Sequence, residues 1–126
     1  MYTKEQKTEY FKRLREQWQE SKKLAETDEV KGAFREAGLK ISPIGFAMVY
    51  HQMRAQGLDG TPYIDAKTFQ GWRKSGFKVR KGEHSTLSGI TWLEIGEKNS
   101  EGIVDEVDFL MPKVYHLFHR TQVEAR

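Results

Sequence analysis

Apolar residues recur at helical spacing in the first half of this chain and alternate with period two in the second. Phe11, Leu14, Trp18 and Ala25 fall at i, i+3, i+7 and i+14, one stripe of a long helix over residues 3–26. Val30, Ala33, Phe34 and Ala37 mark a second, short helix, opened at Thr27-Asp28 and closed by Gly38, where left-handed backbone costs glycine little. Ser42-Pro43 opens a third helix, with Ser at the N-cap and Pro in the first turn. Residues 44–50 are almost wholly apolar, and Phe46, Val49, Tyr50 and Met53 make the main stripe. This is expected to be the most buried helix, ending at Gly57.

Residues 66–75 read as a fourth helix, capped by Asp65 and closed by Gly76. Phe69 and Trp72 share the face directed to the core; Lys67, Gln70 and Lys74 share the other. Phe77-Lys78-Val79-Arg80 then alternates, with Phe77 and Val79 directed to the core and Lys78 and Arg80 outward. Lys81-Gly82-Glu83 is a turn. A strand over 86–95, a polar hairpin loop from Gly96 to Gly102, and one or two strands over 103–111 and 113–120, split at Pro112, complete the reading. Helices first and strands later specify an α+β fold, with N-terminal helices packed on a small antiparallel β-sheet formed by the C-terminal half. The 126 residues suit a single domain, in which residues 1–40 form a helical N-terminal extension.

Charge is unevenly placed. The chain carries a net +3, and its first forty residues hold ten bases against eight acids. Residues 67–83 hold Lys67, Arg73, Lys74, Lys78, Arg80 and Lys81 against Glu83 alone, a net of +5. Residues 97–108 hold Glu97, Glu101, Asp105, Glu106 and Asp108 against Lys98, a net of −4. Such segregation marks a surface with a preferred partner. Two readings of the basic stretch stand open: a phosphate-binding surface that follows a nucleic-acid backbone, or a solvated charged face. Base stacking needs exposed rings nearby. Tyr63, Trp92 and Tyr115 are the candidates, Trp92 foremost because Glu94 shares its strand face. The alternative for each ring is a place in the core.

Several chemistries are excluded or unsupported. The chain has no cysteine, so disulfides, thiolate metal sites and a cysteine nucleophile are ruled out. His116 and His119 form an H-x-x-H, but on a strand i and i+3 point to opposite faces, and no H-E-x-x-H is present. P-loop, G-x-S-x-G and G-x-G-x-x-G patterns are missing. The expectation is a binding protein with no catalytic residue, no metal and no cofactor. No apolar run approaches the roughly 20 residues of a membrane span, and Met1-Tyr2-Thr3-Lys4-Glu5 lacks the apolar core of a secretory leader. A cytoplasmic protein is expected.

The central stretch also resembles a known family. Thr68-Phe69-Gln70-Gly71-Trp72, Gly76, Val79 and Arg80-Lys81-Gly82-Glu83 are similar to the pattern T-F-x-x-W-x-x-x-G-x-x-V-x-K-G-E of the N-terminal domain of ArdC-type antirestriction proteins. Ser42-Pro43, the apolar helix after it and Tyr63 match what precedes the motif there. Val114-Tyr115-His116-Leu117-Phe118-His119-Arg120-Thr121-Gln122 resembles the late strand, Y-x-V-F-N-x-x-Q. The resemblance covers roughly residues 40–122, and departs at His119, where Asn is usual, and at His84, where Gly is common. It implies a single-stranded DNA-binding domain carried by plasmids, phages and related mobile elements. A zinc peptidase-like domain often follows in that family, but the resemblance here is to the N-terminal domain alone, so no peptidase activity is expected to carry over. The expected function is sequence-tolerant binding of single-stranded DNA, or of RNA. Arg73, Lys74, Lys78, Arg80 and Lys81 would hold phosphates, with Lys67 at the edge, and Trp92, Tyr63 and Tyr115 would stack bases. The alternative is a protein-interaction module that uses the segregated charge or the N-terminal helix.

Overall fold

A computed structural model describes residues 4–98 and 104–126. Helix α1 spans Lys4–Ala25, α2 Asp28–Ala37 and α3 Pro43–Ala55. The caps fall where local chemistry places them. The Thr27 hydroxyl accepts from Val30 N–H, Gly38 takes a φ of 63°, and the Ser42 hydroxyl accepts from Gly45 N–H. Strand β1 (Ala66–Lys67), helix α4 (Phe69–Lys74), β2 (Phe77–Val79), β3 (Leu87–Lys98), β4 (Val104–His119), a 3-10 turn (Arg120–Gln122) and β5 (Val123–Ala125) follow. One antiparallel sheet has the order β1-β4-β3, and β2 pairs with β5 in a separate ribbon. The architecture is α+β, with helices against a small antiparallel sheet.

Helix α3 is the centre of the core. Val49 and Met53 pack with Ala66, Leu87 and Leu117. Met48 packs with Leu14 and Ile90, and Phe46 and Ala47 with Val30. Three clusters thus meet three sides of one helix, so its burial is wider than the single stripe read from spacing. Because α1 reaches α3 through Leu14, the N-terminal helix is part of the same core. Gln52 ties α3 to the free edge of β3: its Nε2 donates to Ser88 C=O at 2.7 Å and its Oε1 accepts from Ser88 N–H at 2.9 Å. Gln56, one turn on, donates to Thr86 C=O at 2.7 Å. The two side chains satisfy edge groups that would otherwise offer a template for another strand.

Four local expectations are corrected. Helix α4 starts three residues later than the spacing indicates. Thr68, not Asp65, is its N-cap, accepting from Gly71 N–H at 3.0 Å. Ala66 and Lys67 instead pair with His119 and Phe118, which lets Ala66 become fully buried. Asp65 accepts from Thr61 N–H at 2.7 Å and faces Arg120 at 3.7 Å. Second, Pro112 does not split the last strand, because β4 runs through it opposite Trp92. There β1 has not yet begun to pair, so the proline sits on an edge, where a missing N–H need not cost a ladder bond. Third, β3 continues to Lys98 and β4 begins at Val104, so strand pairing takes up much of the expected 96–102 loop; residues 99–103 lie outside the described residues. Fourth, Phe69 and Phe77 are not core residues: they are 44% and 37% exposed. Helix α4 has only six residues, and β2 belongs to a two-stranded ribbon, so neither ring has a full layer to enter.

Candidate nucleic-acid interface

The basic corner is built around Trp72. Its ring is buried, and its Nε1 donates to Phe118 C=O at 2.8 Å. This single bond fastens α4 to β4. The chain then turns at Gly76 and enters β2, where Phe77, Lys78 and Val79 pair with Ala125, Glu124 and Val123. Arg80 N–H donates to Gln122 C=O at 2.9 Å, and Glu83 N–H closes the next turn onto Arg80 C=O at 3.1 Å. Gly82 in that turn takes φ 89°, left-handed backbone that a side chain would strain. Strand β5, which the sequence reading did not contain, is what holds β2 in place.

Gln122 joins the two segments that carry the family resemblance. Its Nε2 donates to Glu83 Oε2 at 3.1 Å and to His84 C=O at 2.7 Å, while its Oε1 accepts from His119 N–H at 3.0 Å. His119 is buried; its Nε2 donates to Asp59 C=O at 2.6 Å and its Nδ1 accepts from Thr121 N–H at 3.3 Å. Capping that N–H is work an asparagine can also do, so the departure at 119 is chemically mild. His116, by contrast, is exposed. Among the described residues no three His, Asp or Glu side chains gather as metal ligands.

The six bases end in different states. Lys67 is half-buried, with its Nζ 5.1 Å from the Trp72 ring centroid and 3.0 Å from Ser75 Oγ. The Arg73 guanidinium lies 5.9 Å from the Phe69 ring centroid. Lys78 faces Glu124 at 3.6 Å, an exposed pair of the kind worth about 0–1 kcal/mol. Lys74, Arg80 and Lys81 are exposed, and among the described residues none of them forms an ion pair. The corner therefore collects the predicted bases with little internal neutralisation.

The predicted rings lie elsewhere. Trp92 packs edge-on against Trp18 of α1, with centroids 5.5 Å apart at 84°, in the cluster that holds Met48 and Ile90. Trp92 is half-buried, with α1 against one side of its ring. Tyr63 and Tyr115 are half-buried, share a hydroxyl–hydroxyl hydrogen bond, and pack on the Val49–Leu117 cluster. They face each other, not the corner. The rings that do stand beside the bases are Phe69 and Phe77, which periodicity assigned to the core. The signal that could have found them is length, since a helix confined between Thr68 and Gly76 has one buried side, and Trp72 fills it.

Burial pushes both the Tyr63 and Tyr115 phenols above their ordinary range, and the shared hydrogen bond pushes Tyr63 further. An unfolded phenol ionises near pH 10, so above that pH the unfolded chain holds fewer protons than the folded one. The stability these phenols contribute is thus whole below about pH 10 and is lost as pH rises toward the folded values. Urea unfolding at pH 9 and pH 11 should show an alkaline loss that shrinks in a Tyr63→Phe/Tyr115→Phe variant. An equal loss in both proteins contradicts the assignment.

Among the described residues no helix is long and apolar enough to cross a membrane. In comparisons with known proteins the chain matches no family model, no curated protein and no solved structure.

Proposed function

We propose that this chain binds single-stranded DNA without strong sequence preference, with the corner from β1 through the turn after β2 as its contact surface. One observation carries the reading. Lys67, Arg73, Lys74, Arg80 and Lys81 lie on one short stretch that Trp72 and the β2–β5 pairing fasten to the fold, and none of them is in an ion pair among the described residues. Unneutralised bases are what neutralise backbone phosphates and release the counterions condensed on them. The resemblance to the N-terminal domain of antirestriction proteins of mobile elements supports the same reading through Thr68, Phe69, Trp72, Gly76, Val79 and the Arg80–Glu83 turn. No catalytic group, metal or cofactor is needed for it.

The test is fluorescence anisotropy with a labelled oligonucleotide and an Arg80→Ala/Lys81→Ala variant. Losing two phosphate contacts should lower the steepness of log K against log salt by about 1.4 for a single strand. Both side chains are exposed, so folding stability should stay within about 0.5 kcal/mol of the parent. Unchanged affinity and slope would count against the corner. An RNA strand of the same length, run in parallel, shows which sugar is preferred.

A second reading has its own observation. A groove of about 660 Å³ between the helices is lined by Val30, Phe34, Pro43 and Ile44, with Lys22 and Arg35 among its charged residues. Its apolar lining and positive rim fit an acidic, partly apolar segment of a partner protein. A partner captured from nuclease-treated lysate by the parent chain and lost with Lys22→Glu/Arg35→Glu would favour it.

A further inference from the structure

We infer that Phe69 and Phe77 are the base-stacking rings of this surface, and that its ligand is a strand with unpaired, accessible bases. The inference rests on the single-strand reading above and names how the strand is held. A lone exposed aromatic is ordinary; the arrangement here is not two lone rings. Phe77 stands 5.5 Å from Trp72 at 74°. Trp72 in turn lies under the Lys67 ammonium at 5.1 Å, and Phe69, one helical turn before Trp72, lies beside the Arg73 guanidinium at 5.9 Å. Two solvent-facing rings thus stand near one buried ring, and cations lie over two of the three, Lys67 over Trp72 and Arg73 over Phe69.

The chemistry of this group selects its ligand. An aromatic face attracts the face of a nucleobase whatever its identity, which gives sequence tolerance. A guanidinium plane beside the ring is a second stacking partner for a base. Base faces are available only when the bases are unstacked, so a regular duplex meets the phosphate contacts of Lys74, Arg80 and Lys81 but not the rings. Tyr63, Trp92 and Tyr115 are half-buried and packed on one another or on Trp18, and are not needed for stacking.

An abasic oligonucleotide separates the two contributions, because it keeps the phosphates and lacks the bases. The proteins to compare are the parent, Phe69→Leu, Phe77→Leu and the double leucine variant. Leucine keeps apolar contact with Trp72 and the helix start but removes the π-face. Each replacement is expected to weaken binding to an ordinary single strand by roughly 5- to 150-fold. The salt slope should stay unchanged, and so should binding to the abasic strand. Phe69→Leu is the safer fold control, since its ring is the more exposed of the two, and thermal unfolding checks each protein. Leucine variants that bind the ordinary strand as tightly as the parent overturn the stacking assignment while leaving the phosphate reading intact. Equal weakening on the abasic strand also overturns it. A parent chain that binds neither strand overturns the underlying reading itself.

Discussion

Trp72→Ala is expected to cost about 3–5 kcal/mol of folding stability, the range for removing a buried large aromatic. The ring is 5% exposed, and its loss removes three things together. It empties the space between α4 and β4, leaves the Phe118 carbonyl without its indole donor, and takes away the wall on which Phe77 leans. Small domains have only about 5–15 kcal/mol in hand, so the variant should unfold at markedly lower urea. Trp72→Phe divides the effect. It keeps most of the ring and loses the N–H, so its cost should fall to about 1–3 kcal/mol, the penalty of one unmade buried bond. Urea unfolding of both variants measures this. A cost below about 1 kcal/mol for the alanine variant would mean that Trp72 does not anchor the corner.

Gly89→Ala is expected to cost about 1–3 kcal/mol by overpacking. Gly89 lies opposite Tyr115 in the β3–β4 ladder. A Cβ there would stand 2.7 Å from Tyr115 Cε2 and closer still to its Cζ and hydroxyl. An exposed tyrosine would swing away. This one is held by its hydrogen bond to Tyr63 and by contact with the Val49–Leu117 cluster. The rescue is specific: in a Gly89→Ala/Tyr115→Ala protein the obstacle is gone. The double variant should therefore be more stable than the sum of the two single losses predicts. Additive losses would show that the ring is free to move.

Element ends in the helical half were legible because their causes are local. Ser42-Pro43, Thr27 and Gly38 act within one turn of the residues they cap. The start of α4 was misread for the opposite reason. Ala66 and Lys67 are a strand only because His119 and Phe118, some fifty residues later, pair with them, and no local pattern records that. Strand β5 is three residues long and exists through its pairing with β2. Pro112 breaks a central strand but not an edge, and edge or centre is decided by where β1 stops.

The site divides in the same way. Bases were found by charge, which is written in the sequence and tends to stay on the surface. Rings were not, because whether an aromatic is covered depends on what packs over it. Trp18 packs on Trp92 from 74 positions away in the chain, and Tyr63 and Tyr115 meet across 52. Phe69 is left uncovered because Trp72 takes the one buried side of a short helix, and Phe77 because β2 belongs to a two-stranded ribbon.

Anisotropy of a labelled single strand with the parent protein, titrated across a salt series, is the measurement on which the account depends. Five unpaired bases in contact with phosphates predict saturable binding at low salt. Log K should then fall linearly with log salt at a slope of about −3.5. No binding at low salt, or binding with no salt slope, would contradict a nucleic-acid surface at this corner.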